Sequence, residues 1–582
     1  MSKQPAINPD MALTVIEKKW QHLWQEALLI WSNYLRLKKP VFCKEQEEEK
    51  KNGLISSFAM IRLTDLSIVL SVRQIQDYKL EEFALEIMAH EIGHHIYCPA
   101  DLTDLARMIA RIKRGLGDMD KQAGFVGNLY SDLLINNKLF FEHGLRMDRI
   151  FIAIKEKTED PLWNFYTRIY EILWSLPKGT LTTIEIEDEM EADAVLGNRL
   201  IRHYAVDWLK GSGRFAALCY TYLLKRKDAF SDNRLNVWLD TGDAGLGDAF
   251  PVGLTEIEDD EINGAVHPAL EEAGKKAAVP QDEPGDKQSR GNYREPFEYG
   301  QILKSIGLNL DDKEIAIRYY KERAVKYLIP FPVQIKETSK EPLPEGFSTW
   351  DIGSPLEKIN WIESIVRSPY IVPGYTTVEQ VYGTTEGSNP DKEPVDLDLY
   401  VDCSGSMPNP VRNVSYLTLA GAIIALSALR SGSRVQATLW SGTNQFTTTD
   451  GFISKEKSIL GILTGYFGDG TAFPIHMLRD TYKNRKPTER KVHILVISDS
   501  GVTTMYDKDE QNNDGYDIAG RALDTARGGG TFVLQLWGDW KEVPLLEEAS
   551  EQGWDIYRIS DWEDLIGFSK AFSRKHYSEA GL

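Results

Sequence analysis

Two imidazoles four residues apart, His90 and His94, bracket a carboxylate at Glu91 in the run His90-Glu91-Ile92-Gly93-His94. On a helix, positions i and i+4 share a face, so both rings reach one ion while Glu91 projects beside it. The chemistry these residue types support is hydrolysis. A Zn2+ ion held by nitrogen ligands brings the pKa of its water toward neutrality, and a neighbouring carboxylate takes the proton as the hydroxide attacks a carbonyl. The surrounding sequence predicts a helix over 80–96, with Phe83, Ile87 and Ile92 apolar and Pro99 stopping it just past Cys98. Gly93 costs helix propensity, but its missing side chain leaves room for another backbone near the metal. His95 turns away from the His90–His94 face and reads as a packing histidine or a support for the ligands.

A catalytic zinc needs a third protein ligand and an open fourth position. Glu189-Met190-Glu191-Ala192-Asp193 lies in a run with helical spacing and places Glu189 and Asp193 on one face. With HExxH upstream and ExxAD downstream, the chain resembles the gluzincins, in particular the branch of the CAAX prenyl proteases and their soluble minimal relatives. That resemblance implies His90, His94 and Glu189 on the metal, Glu91 as general base, and Asp193 supporting an active-site histidine. The alternative zinc ligand is Asp132. Asn128, Asp132 and Asn136 form a polar stripe at i, i+4 and i+8 in GNLYSDLLINN. This stripe is similar to the NxxxDxxxN helix of metallopeptidases linked to von Willebrand A domains, in which an Asp on that helix completes the site. It equally fits a helix whose Asn and Asp hydrogen-bond a neighbouring loop.

The elements that must position these groups are legible in outline. Residues 57–72 are rich in Ile, Leu, Val and Phe, with Thr64-Asp65 interrupting them. They predict strands or a hairpin, either core sheet or the edge strand that zincins use to bind a substrate backbone. Residues 1–37 carry Ile16, Trp20, Leu23, Trp24, Leu28 and Trp31 at helical period, a packing face. The 582 residues are enough for two to four domains, and 42% hydrophobic residues suffice for real cores.

The formal charge of -20 argues against a general nucleic-acid or anionic-membrane binder, which needs clustered Lys and Arg. Cys43, Cys98, Cys219 and Cys403 show neither CxxC spacing nor a disulfide framework. No apolar leader opens the chain, and the longest uncharged stretch, 413–429, bears Ser and Thr and reads as a buried helix. A cytoplasmic protein is the expectation. Residues 256–290 contain no aromatic residue and are rich in Asp, Glu, Ala, Gly and Lys, which predicts a flexible acidic linker. A charged helix follows over 315–326, and 359–382 leads into an α/β pattern.

That pattern opens with VDLDLYVDCSGSM, an apolar strand ending in Asp402-x-Ser404-x-Ser406, followed by a helix over 411–429. Oxygen donors at alternate positions past a strand suit a hard cation such as Mg2+. Thr471, in Gly468-Asp469-Gly470-Thr471, and Asp499, after the strand 492–498, add two more. Strands over 434–440, 531–537 and 555–559 alternate with helices and predict a doubly wound, mostly parallel sheet, which binds ligands at the carboxyl ends of its strands. Residues 395–572 are similar to the von Willebrand A fold with its metal-ion-dependent adhesion site. The resemblance implies a Mg2+ ion on Asp402, Ser404, Ser406, Thr471 and Asp499, with one position left for an acidic residue of a partner.

The expected architecture is therefore a mainly helical α+β zincin-like domain over 1–250, an acidic linker over 251–296, a connecting segment over 297–390, and an α/β Rossmann-like domain over 391–582. Two functions fit it. The first is a zinc peptidase whose C-terminal domain docks a protein client or an AAA+ ATPase. The second is a non-catalytic adaptor of a MoxR-type AAA+ ATPase, a reading to which the cobalt-chelatase subunit, with an acidic linker before its A domain, lends a resemblance.

Overall fold

The computed structural model describes residues 9–54, 57–226, 250–263, 265–272, 292–336, 340–386, 391–487, 489–536 and 538–560, and six positions between 564 and 572. The chain divides into two compact units, Met1–Arg323 with Pro410–Val414, and Ala324–Asn409 with Ser415–Leu582. The expected connecting segment over 297–390 is thus split between the two.

The first unit is mainly helical. Helix α1 (Pro9–Trp31) buries Trp20 and Trp24, as its apolar period requires. Strands β1 (Val41–Cys43), β2 (Ala59–Arg62) and β3 (Ser67–Ser71) form a small sheet in the order β1-β3-β2, with β2 and β3 antiparallel across the Thr64-Asp65 turn. Helix α2 (Ala84–Ile96) carries both histidines of the motif and starts four residues later than its apolar spacing suggests, with Phe83 as N-cap. Helices α3 (Leu102–Leu116), α4 (Ala123–His143), α5 (Pro161–Leu173), α6 (Asp188–His203) and α7 (Trp208–Lys225) complete the bundle. Local signals start and stop them. Asp101 caps α3 by accepting from the Asp104 amide, Asp160 caps α5 ahead of Pro161, and Gly144 ends α4 with φ 66°.

The acidic stretch departs from its expected flexibility at its start. Leu254 and Thr255 are fully buried, and Glu258, Asp260 and Glu261 pair with Arg107, Arg111 and Arg114 along α3. Arg294 closes on Glu261 through two 2.5 Å contacts. Composition read these carboxylates as solvated, whereas a row of arginines three and four residues apart neutralises them. Residues 273–291 of the expected linker lie outside the described residues.

The second unit is built on a six-stranded mixed sheet. Strands β4 (Lys340–Thr349) and β5 (Val378–Glu386) form a separate antiparallel hairpin, and helix α8 (Trp361–Arg367) sits between them in sequence. The main sheet comprises β6 (Asp396–Asp402), β7 (Val435–Trp440), β8 (Phe446–Thr448), β9 (Val492–Ser498), β10 (Arg527–Leu534) and β11 (Trp554–Arg558), in the order β8-β7-β6-β9-β10-β11. All neighbours are parallel except the edge strand β8, which the sequence reading missed because three residues carry too little pattern. Strands β6, β7 and β9 are buried along their whole length, as expected of a sheet covered on both faces. Helix α9 (Tyr416–Arg430) starts later than the expected residue 411 and is capped by Ser415. Trp537, expected to end a strand, lies outside the described residues. No helix among the described residues is long and apolar enough to cross a membrane.

Candidate metal centre

Helix α2 presents His90 and His94 on one face, and α4 packs across it. The two Nε2 atoms lie 3.2 Å apart, and the Asp132 Oδ1 atom is 3.6 Å from each. Two ligands about 2.0–2.1 Å from one tetrahedral ion stand about 3.4 Å apart, so the three donor atoms already have the edge lengths of a zinc site. His94 and Asp132 are buried, and His90 keeps 12% of its side-chain surface exposed. These three form a buried group able to hold a metal ion.

Neighbouring groups settle which ring nitrogen faces the ion. His94 Nδ1 lies 3.1 Å from the Cys98 carbonyl oxygen, which can only accept, so Nδ1 carries the proton and Nε2 presents its lone pair. His90 Nδ1 meets Asn136 Oδ1 at 2.7 Å in the same manner. Asn136 in turn donates to the Tyr170 hydroxyl at 2.8 Å, and Tyr170 meets Tyr166 at 3.0 Å. Asn128 donates to Asp132 Oδ2 at 3.2 Å, turning Oδ1 toward the histidines. Two imidazole nitrogens and a carboxylate oxygen thus converge in a largely buried space, an arrangement that a cation suits. The donor set, two nitrogens and one oxygen, matches zinc chemistry.

The stripe Asn128, Asp132, Asn136 therefore lies against the metal group: its middle residue is the third donor and its outer two hold Asp132 and His90. Among the described residues Asp132, the alternative ligand, groups with the two histidines, and Glu189 does not. Its side chain is 66% exposed on the first turn of α6, 3.4 Å from Lys225, where a carboxylate is stabilised by water and by the helix N-terminus. Asp193 does not support His90 or His94; it accepts from the Tyr222 hydroxyl at 2.7 Å and lies 3.8 Å from His267. His95 points to the Ala100 carbonyl, off the ligand face as expected. Glu91 is buried on α2 beside the ligands. At Gly93 the space is taken by side chains and not by a backbone: a Cβ there would come within 2.6 Å of Ile135 and 2.8 Å of Trp31. Trp31 also donates to the Ala89 carbonyl, which locks α1 onto α2. Tyr170 and the Cys98 carbonyl escaped the sequence reading, since neither belongs to a motif of α2 or α4.

In the second unit the carboxyl ends of β6 and β9 are neighbours, because Val401 pairs with Ile497. This is the point where strand order reverses. Asp402 accepts from the Ser404 amide at 2.8 Å and from Ser498 at 2.6 Å. Ser404 and Ser406 hydroxyls are 3.2 Å apart, and Ser406 donates to Asp499 at 2.8 Å. Thr471 lies beside the loop after β9, its methyl against Gly501. Burial pushes the Asp402 carboxyl up, against the opposing hydrogen bonds from Ser498 and Ser404.

Comparison with protein families and with curated proteins gives no match. Among solved structures, the chain is similar over 32% of its length to the pilus adhesin SpaC from Lactobacillus rhamnosus GG, at 14% identity and TM-score 0.24. It spans 31% of that adhesin. It is also similar to the conserved hypothetical protein BatB from Bacteroides thetaiotaomicron, at 16% identity and TM-score 0.22, over 32% of this chain and 98% of that one.

Proposed function

We propose that the first unit is a zinc-dependent peptidase and that the second docks a protein through Mg2+. The observation that carries the first part is the convergence of His90 Nε2, His94 Nε2 and Asp132 Oδ1 at separations of 3.2 and 3.6 Å. When bound, zinc supplies an acidic water and polarises the carbonyl under attack. The chain supplies the rest. Asn136 and the Cys98 carbonyl hold the two rings in the ligating tautomer, Asn128 orients Asp132, and the Glu91 carboxylate takes the proton of the attacking water.

Metal analysis and peptide turnover test this assignment. His90→Ala and His94→Ala should each lose a stoichiometric metal, while Glu91→Gln keeps it and stops hydrolysis. Normal turnover by Glu91→Gln refutes the catalytic role. A second reading, a zincin-like scaffold that adapts a MoxR-type AAA+ ATPase, is favoured by the enclosure of His94 and Asp132 at 0% and 1% exposure.

For the second unit, the linked group of Asp402, Ser404, Ser406 and Asp499, with Thr471 nearby, supports a hard-oxygen shell for Mg2+ that lacks the charge to close by itself. A partner's Glu or Asp, from a client or an ATPase, fills the last position. Asp402→Ala with Ser404→Ala should abolish Mg2+-dependent capture of the partner, with circular dichroism and zinc content unchanged. Capture of the same partners by this variant in Mg2+ and in EDTA refutes the docking role.

A further inference from the structure

Asn136 meets His90 through a group that could face it either way. An amide carries a carbonyl oxygen on one arm and N–H donors on the other, so it can accept from an imidazole Nδ1–H or donate to an Nδ1 lone pair. Only the first arrangement leaves the His90 Nε2 lone pair for an ion. The contact with His90 therefore does not choose by itself, and the choice falls to the other arm of the amide. There Asn136 Nδ2 donates to the Tyr170 hydroxyl at 2.8 Å, with both side chains buried. Helix α5 holds that hydroxyl in place. Tyr170 follows Tyr166 by one turn, the two hydroxyls meet at 3.0 Å, and the Tyr170 ring centre packs 4.7 Å from that of Phe151 and 4.4 Å from that of Trp174.

We propose that Tyr170 is a positioning residue of the metal centre: acting through Asn136, its hydroxyl keeps the amide oxygen toward His90 and so sets metal affinity. This role rests on the metal reading of His90, His94 and Asp132 given above. It follows from what remains when the hydroxyl is removed. In Tyr170→Phe the amide N–H that points away from His90 loses its acceptor, and a buried donor without a partner is costly. Turning the amide over relieves that cost. Its oxygen then faces the edge of the aromatic ring, which carries partial positive charge, while its N–H donates to His90 Nδ1. That orientation suits the metal-free site and must be undone before His90 can ligate. Asn136→Asp removes the choice, because both oxygens of a carboxylate accept, and the His90 proton goes to Nδ1 whichever residue stands opposite.

Zinc competition against a chromophoric chelator, on the full chain, tests the proposal. Tyr170→Phe should lower zinc affinity about tenfold, the lower end of the range for groups that orient a ligand. In an Asn136→Asp background the same Tyr170→Phe change should cost nothing. Tyr222→Phe removes another buried tyrosine hydroxyl of this unit, one that serves Asp193, and should leave affinity as in wild type. Circular dichroism checks the fold of each variant. If Tyr170→Phe binds zinc as wild type does, or if its loss persists in the Asn136→Asp background, the hydroxyl only packs α5 and the proposal is overturned while the metal site stands. A wild type that takes up no stoichiometric zinc overturns the metal reading and this role together.

Discussion

Replacing Asp132 with Ala removes one of three donors from a space where it is 1% exposed, and the alanine methyl offers no ligand in its place. The carboxylate oxygen sits 3.6 Å from both Nε2 atoms and is the only charged donor of the three, so its loss should exceed that of a supporting residue. Residues that only orient ligands cost about 10–100-fold in metal affinity when removed. Asn128→Ala and Asn136→Ala belong in that range, and Asp132→Ala should fall beyond it, more than about a hundredfold or on the order of 3 kcal/mol. Glu189→Ala, at an exposed side chain paired with Lys225, should leave affinity unchanged. Competition against a chromophoric chelator, with each variant's fold checked by circular dichroism, ranks the four. If Glu189→Ala loses as much zinc affinity as Asp132→Ala, the metal does not sit between α2 and α4.

Three further outcomes follow from the packing. Gly93→Ala places a methyl within 2.6 Å of Ile135 and should destabilise the first unit by about 1–3 kcal/mol in urea unfolding, with zinc lost because Asn136 adjoins Ile135. Adding Ile135→Ala should recover part of it; no loss in Gly93→Ala would mean that α2 and α4 separate at little cost. Glu261 is buried, which would raise its carboxyl, but Arg294 and Arg114 overcome this and hold it below the usual range. Its contribution is therefore present above the unfolded pKa and is lost as pH falls through the lower folded one, and Glu261→Ala, leaving the buried Arg294 with only the more distant Glu298 carboxylate at 3.7 Å, should cost about 3 kcal/mol near pH 7. Asp398 runs the other way. Burial pushes its carboxyl up to about 7 against hydrogen bonds from Tyr482, Tyr400 and Gln436, so stability should fall as pH rises from about 4 to 7. Asp398→Asn should remove that slope and be the more stable protein at pH 8, by up to a few kcal/mol; an unchanged slope would show that Asp398 is ionised in the fold.

The sequence alone determined what is local or periodic. Spacing four apart dictated that His90 and His94 share a face, because a helix allows nothing else, and the mostly parallel sheet was legible from buried strands alternating with helices. Asp402, Ser404 and Ser406 had to cluster at a strand end, for the same local reason. Which carboxylate joins the two histidines is a different kind of fact. Glu189 and Asp132 are both carboxylates on helices downstream of α2, and the sequence supplies no distance between helices. Only the packing of α4 on α2, through Gly93 against Ile135, brings Asp132 to 3.6 Å of both rings and leaves Glu189 in solvent. The acidic stretch after 250 teaches the same lesson. Its composition reads as solvated until the arginines of α3 stand opposite it, and their spacing matters only once the chain has folded back. Tertiary structure decided these points because ligand geometry and charge neutralisation depend on distances through space, whereas propensity and periodicity act along the chain.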